Sequence, residues 1–137
     1  MNVKTATFTA ALGLVLSTGG VRAHHSFAAE FDAMKPLNLK GVVTKIEWSN
    51  PHTYFYMDVT GTDGKVVNWG MEMGSPNGLM RQGWTRNTLH VGDEVAVEGA
   101  QAKDGANVGN ARAVILAATG KRLFAASSQT ETPQQQR

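Results

Sequence analysis

The stretch GVVTKIEWSNPHTYFYMDVTGTDGKVVNWGMEM, residues 41–73, decides the fold class. Its first part alternates: Val42, Thr44, Ile46 and Trp48 share one face of an extended chain, and Val43, Lys45 and Glu47 share the other. A period of two is the mark of a half-buried β-strand. Asn50-Pro51 breaks that strand. A second run, HTYFYMDVT, sets Phe55, Met57 and Val59 on one face and His52, Tyr54, Tyr56 and Asp58 on the other. Thr62-Asp63-Gly64 is a hairpin turn signal, and KVVNWGMEM is the returning strand.

Working outward, GSPNGLMRQGWT predicts a short helix. Ser75 caps it, Pro76 takes its first position, and Leu79, Met80 and Trp84 turn inward. A turn at Gly92-Asp93 leads to a fourth strand carrying Val95 and Val97. Lys103-Asp104-Gly105 turns the chain into a fifth, NARAVILA, and GKRLFA is a short sixth. Trp48, Trp69 and Trp84 read as core. This order predicts an all-β domain with one short helix over residues 37–126. The expected form is a small OB-like barrel of five to six strands, with the helix plugging one end. A β-sandwich is the competing architecture. Residues 24–36 carry no period and read as an N-terminal arm. The polar tail, residues 127–137, lacks apolar anchors and is predicted to be disordered.

The first 23 residues read as a secretory signal peptide. Lys4 marks a short positive region, ATFTAALGLVLSTGG is apolar, and Val21-Arg22-Ala23 carries small residues before a cleavage point. The apolar run falls short of the roughly 20 residues a transmembrane helix needs. Cleavage after Ala23 leaves 114 of the 137 residues, enough for one small domain with no stable membrane insertion. Lys4 and Arg22 leave with the leader, so 11 basic residues face 11 acidic ones. That balance removes the electrostatic footprint of a nucleic-acid binder. The chain has no cysteine, so the fold stands on its core, and any metal site uses nitrogen, oxygen or thioether donors. A periplasmic location is the expectation.

The segments HHSFAAEFD, GVVTKIEWSNPHTYFYMDV, VNWGMEMGSPNGLMRQGWTRNTL, GDEVAVEGAQAKDGANVGNARAVIL and GKRLFA resemble the DUF6152 family of exported bacterial proteins. The likeness spans essentially the whole mature chain, and its NPH and GSPN segments are specific. It implies a small secreted β-rich domain and no assigned activity.

Chemistry must therefore come from the residues, and four histidines carry most of it: His24, His25, His52 and His90. Cleavage after Ala23 gives His24 a free α-amine beside its imidazole. Amine nitrogen and Nδ1 then chelate one ion in a six-membered ring. An α-amine pKa near 8 lets a divalent ion displace its proton at neutral pH. A third nitrogen, from His52 or less directly His25, completes the planar nitrogen geometry that suits Cu(II). This arrangement resembles the histidine brace of copper oxygenases and exported copper carriers. Phe27 and Phe31 would anchor the arm. Glu30, Asp32 or Glu72 would supply a nearby carboxylate, with Tyr54 beside it. Met71 and Met73 are candidate thioether donors for Cu(I), although methionines in strands usually fill cores.

Plainer roles compete at each position. Adjacent histidines at a chain start suit a solvated end, His52 a structural hydrogen bond, His90 simple exposure, and Tyr54 and Tyr56 cross-strand packing. Enzyme classes fare worse. Ser75 lacks a hydrolase elbow, no glycine-rich phosphate loop is present, and Asp93-Glu94 sits in a turn with nothing to separate the two carboxyl groups. Two functions remain: an exported metal carrier or buffer, with copper the expected ion, and a metal-free barrel. The second, accessory to an envelope enzyme or a stress response, would use Tyr54, Tyr56 and the barrel face to bind a small ligand or an envelope protein.

Overall fold

A computed structural model describes residues 27–126. The segment read as a leader, His24, His25 and the tail from residue 127 lie outside the described residues. In chain order the elements are α1 (Phe27–Glu30), β1 (Phe31–Glu47), β2 (Tyr54–Thr60), β3 (Val66–Glu72), α2 (Pro76–Arg81), β4 (Glu94–Ala102), β5 (Val108–Leu116) and β6 (Arg122–Phe124). The all-β class and the strand order expected from the sequence hold.

All six strands belong to one sheet, so the alternative of two stacked sheets falls away. β1 pairs antiparallel with β2 on one side and β4 on the other. β3 runs antiparallel to β2, and β5 to β4. A parallel pairing of Gly70–Glu72 with Val108–Asn110 joins β3 to β5, giving a ring of hydrogen bonds through five strands. β6 lies outside the ring, on β5.

β1 is long because it serves two neighbours, and its register shifts twice to do so. The first shift, between Asp32 and Pro36, lets Ala33, Met34 and Lys35 loop out. Residues 31–36 are thus part of a strand, where the sequence shows only a patternless arm. The second shift, between Val43 and Lys45, corrects the single alternation expected across residues 42–48. Leu37, Leu39 and Val43 face the core before it, and Ile46 and Trp48 pack against the core after it. Val43 is 1% exposed and Val42 40%, the reverse of a uniform period. An extra residue in one strand moves every later side chain to the other face.

The interior holds Phe55, Met57, Met71, Met73, Leu79, Trp84, Val97 and Val114. Trp48 and Trp69 lie half-buried at its margin. Ser75 caps α2 through Oγ, which accepts from Gly78 N at 3.2 Å. Leu79 docks inward, but Met80 is 51% exposed rather than buried. Adjacent residues on a helix point about 100° apart, and so short a helix has one docked face. The Trp84 indole donates to the Phe124 carbonyl at 2.8 Å, tying the segment after α2 to β6.

Two substitutions test this packing. A Cβ on Gly99 would lie 1.9 Å from the Asn110 carbonyl oxygen, so Gly99→Ala forces β4 and β5 apart. Urea denaturation should show it destabilised by about 1–3 kcal/mol. Thr53 is fully buried, and its hydroxyl has no hydrogen-bond partner among the described residues. Thr53→Val removes that unsatisfied group and should raise stability by about 1 kcal/mol in the same assay.

Candidate functional site

The hydrogen-bonded ladder between β2 and β3 continues one step past both strands. Thr53 N donates to the Gly74 carbonyl at 3.0 Å, and Met73 N to the Thr53 carbonyl at 2.8 Å. The Asn50-Pro51 peptide just before this step is cis, and the step itself is held by the Thr53 bonds. His52 is thereby set against the end of β3. Its Nδ1 lies 3.2 Å from the Met73 carbonyl oxygen and 3.7 Å from Glu72 Oε1. A carbonyl oxygen only accepts, so Nδ1 carries the proton and donates. The lone pair is then on Nε2. Metal-binding imidazoles are commonly oriented in this way, one nitrogen fixed by the protein and the other free to ligate.

Glu72 is 7% exposed, and a buried carboxylate needs partners. One oxygen faces His52, and the other accepts from the Tyr54 hydroxyl at 2.6 Å. Burial, and then the hydrogen bond to Glu72, raise the Tyr54 phenol well above the ordinary tyrosine value. His52, Glu72 and Tyr54 therefore form one connected polar chain.

Tyr56, on the same face of β2, belongs to a separate group. Its hydroxyl donates to Glu47 Oε2 at 3.1 Å, and the Lys45 ammonium lies 5.2 Å from its ring centroid. Lys45 also pairs with Glu47. The ring crosses Gly70, directly opposite in the register. Tyr56 is thus engaged in cross-strand packing, the plainer of the two roles its position allows.

α1 docks beside the Tyr54 end of the ring. Phe27 and Phe31 stack with centroids 5.7 Å apart, and both pack with Ala100 and Ala102 of β4. These two rings are the anchors the sequence suggests, and they seat on Ala100 and Ala102 of β4. Lys103 holds the turn's carbonyls: its N donates to Glu30 O at 2.9 Å, and its ammonium donates to Ala28 O. Between α1 and the ring opens a recess of about 430 Å³, lined by Glu30, Phe31, Tyr54, Glu72, Lys103 and Asp104. A larger groove of about 640 Å³ lies at the other end, along Lys40, Val42, Glu94 and Ile115, and no histidine lines it.

The other candidate donors separate cleanly. Met71 and Met73 are buried among core side chains and are fillers, which removes them as thioether ligands. The Asp32 carboxylate accepts from Met34 N at 2.9 Å inside the first β1 irregularity. His90 is exposed and belongs to a turn with Asp93. Among the described residues no three His, Asp or Glu side chains gather as a metal group. His52, backed by Glu72, offers one oriented nitrogen, and the two other candidate donors, His24 and His25, lie outside the described residues. Sequence reasoning missed Lys103, because a lysine in a Lys-Asp-Gly turn gives no sign of a long-range contact.

Residues 13–111 match the family described as "Family of unknown function (DUF6152)". The chain belongs to the DUF6152 family. No curated protein and no solved structure matches it. In this DUF6152 member no helix among the described residues is long and apolar enough to cross a membrane.

The Tyr54–Glu72 bond gives a pH signature in the metal-free protein. A raised phenol means that the native state keeps a proton the unfolded chain releases. The stability this contributes is complete below the ordinary tyrosine pKa of about 10 and is lost as pH rises through the native value. Tyrosinate absorbance should therefore show Tyr54 ionising only with alkaline unfolding. Tyr54→Phe should lose about 1–3 kcal/mol at neutral pH, because Glu72 is left without its donor. Its stability should also fall less steeply above pH ~10. A phenol titrating freely near pH ~10 in the native protein contradicts this assignment.

Proposed function

We propose that this is an exported metal-binding protein, with copper the favoured ion, that carries or buffers the ion in the periplasm. In this reading residues 1–23 are removed as a leader. The α-amine and Nδ1 of His24 chelate the metal, and His52 Nε2 supplies the third nitrogen. His25 is the alternative or additional ligand. Glu72 and Tyr54 stand behind His52 and hold its orientation.

The observation that carries the reading is the His52 hydrogen bond to the Met73 carbonyl, which commits Nδ1 as donor and leaves Nε2 available. The placement of α1 supports it as well. The three peptide units between His24 and Phe27 span at most about 10 Å. α1 is docked at the end of the ring that holds Tyr54 and Glu72, and the Glu30 carboxylate contributes to the raised Tyr54 phenol.

Mass spectrometry of the exported protein should give a chain beginning at His24. Cu(II) titration should then show affinity reduced at least tenfold by His24→Ala and by His52→Ala, about 1.4 kcal/mol each. Equal, weak binding by wild type and both variants overturns the metal reading. The recess beneath α1 would then be the place to look for a small organic ligand.

A further inference from the structure

The groove of about 640 Å³ is built by strand register. Val42 of β1 stands directly between Asp58 of β2 and Glu94 of β4. Two residues back along β1, Lys40 lies opposite Ala96, and Ala96 opposite Ile115 of β5. Residues two apart on a strand share a face. Here it is the outer one, because the intervening Val43 and Val95 are buried while Val42 is 40% exposed. One row thus sets two carboxylates on either side of a valine. The next sets a lysine beside an apolar pair. The turn between β5 and β6 walls the groove: Ala117 N donates to the Glu94 carbonyl at 3.0 Å, and Ala117 and Gly120 line the space. The charges are open. Among the described residues no ion pair engages the side chain of Lys40 or Glu94. Asp58 accepts from Asn68 through Oδ1 at 2.8 Å, which leaves its second oxygen to the groove.

We propose that this groove binds a short zwitterionic peptide, of dipeptide size, with apolar side chains. Its ammonium donates to Asp58 and Glu94, its carboxylate accepts from Lys40 Nζ, and its side chains lie on Val42, Ala96 and Ile115. Opposite charges held apart on an apolar floor match a ligand charged oppositely at its two ends. The spacing selects the length. Two residues along a strand rise about 6.6–6.8 Å, which separates the carboxylate row from the lysine row. An extended dipeptide spans about 7 Å. A single amino acid carries both charges on one carbon and meets only one row. A space of this size also falls within the roughly 300–1,000 Å³ of small-molecule sites. The site uses none of the residues of the metal reading and stands apart from it.

The test titrates the exported, metal-free protein with leucyl-leucine by calorimetry, beside its N-acetyl and C-terminal amide forms. Leucyl-leucine should bind saturably, and each blocked form roughly tenfold more weakly. Glu94→Gln and Lys40→Met, both at exposed positions, should weaken binding of the free dipeptide to a similar extent. Glu94→Gln should also narrow the gap to the acetylated form, and Lys40→Met the gap to the amide. A general loss of fold would not produce that pairing. Methyl resonances of Val42 and Ile115 should shift on binding, and His52→Ala should bind as wild type does. Absence of saturable binding overturns the proposal. So do equal binding of all three ligands, impaired binding by His52→Ala, and resonance shifts confined to the recess beneath α1. Binding sensitive to acetylation alone overturns the zwitterion, since Lys40 then takes no part.

Discussion

Three residues of parallel pairing hold the ring shut: Gly70, Met71 and Glu72 against Val108, Gly109 and Asn110. Every other ring pairing is antiparallel and longer. The close approach depends on a missing side chain. A Cβ on Gly109 would lie 2.6 Å from Leu37 Cδ2 and 2.9 Å from Met71 Cε. With that space open, Leu37 and Met71 fill the interior behind the seam, and β3 ends where Glu72 stands beneath α1. The polar chain of Tyr54, Glu72 and His52 is built on the β2–β3 ladder, at the end of β3 that the seam holds to β5. Tyr54 and Glu72 are direct register partners, and His52 stands just past them where the ladder continues through Thr53.

Much of this was legible in the sequence. Strict alternation in β2 sends Phe55 and Met57 inward and Tyr54 and Tyr56 outward, as observed. Ser75-Pro76 and Thr62-Asp63-Gly64 act locally, through a cap and a turn, and such signals survive folding unchanged. β1 was harder to read. Its two register shifts are imposed by pairing with β4 and β2 at once, and nothing within residues 31–47 announces them. Met80 looked apolar enough to bury, but one docked face on α2 had room for Leu79.

The candidate site divides along the same line. Glu72 and Tyr54 could be placed near His52 from strand parity alone. The choice between the two nitrogens of His52 could not, because the carbonyl that decides it comes from Met73, across the ladder. Lys103 was invisible for a related reason. Its partners, Ala28 and Glu30, lie at the far end of the described chain, and long side chains in turns carry no periodic signature.

The same ring constrains how the chain reaches its folded state. The hairpin of β2 and β3 joins neighbours in sequence and can form early. β1 is different: half of it waits for β4, and the edge of β3 waits for β5. Contacts of that range make folding slow, since the loop entropy is spent before any reward arrives. A partly synthesised chain that lacks β5 keeps an open sheet, with unpaired edges and exposed Phe55 and Met71. Commitment to the native state is thus deferred until nearly all of the polypeptide is present, because the last ring strand supplies both the seam to β3 and the partner of β4.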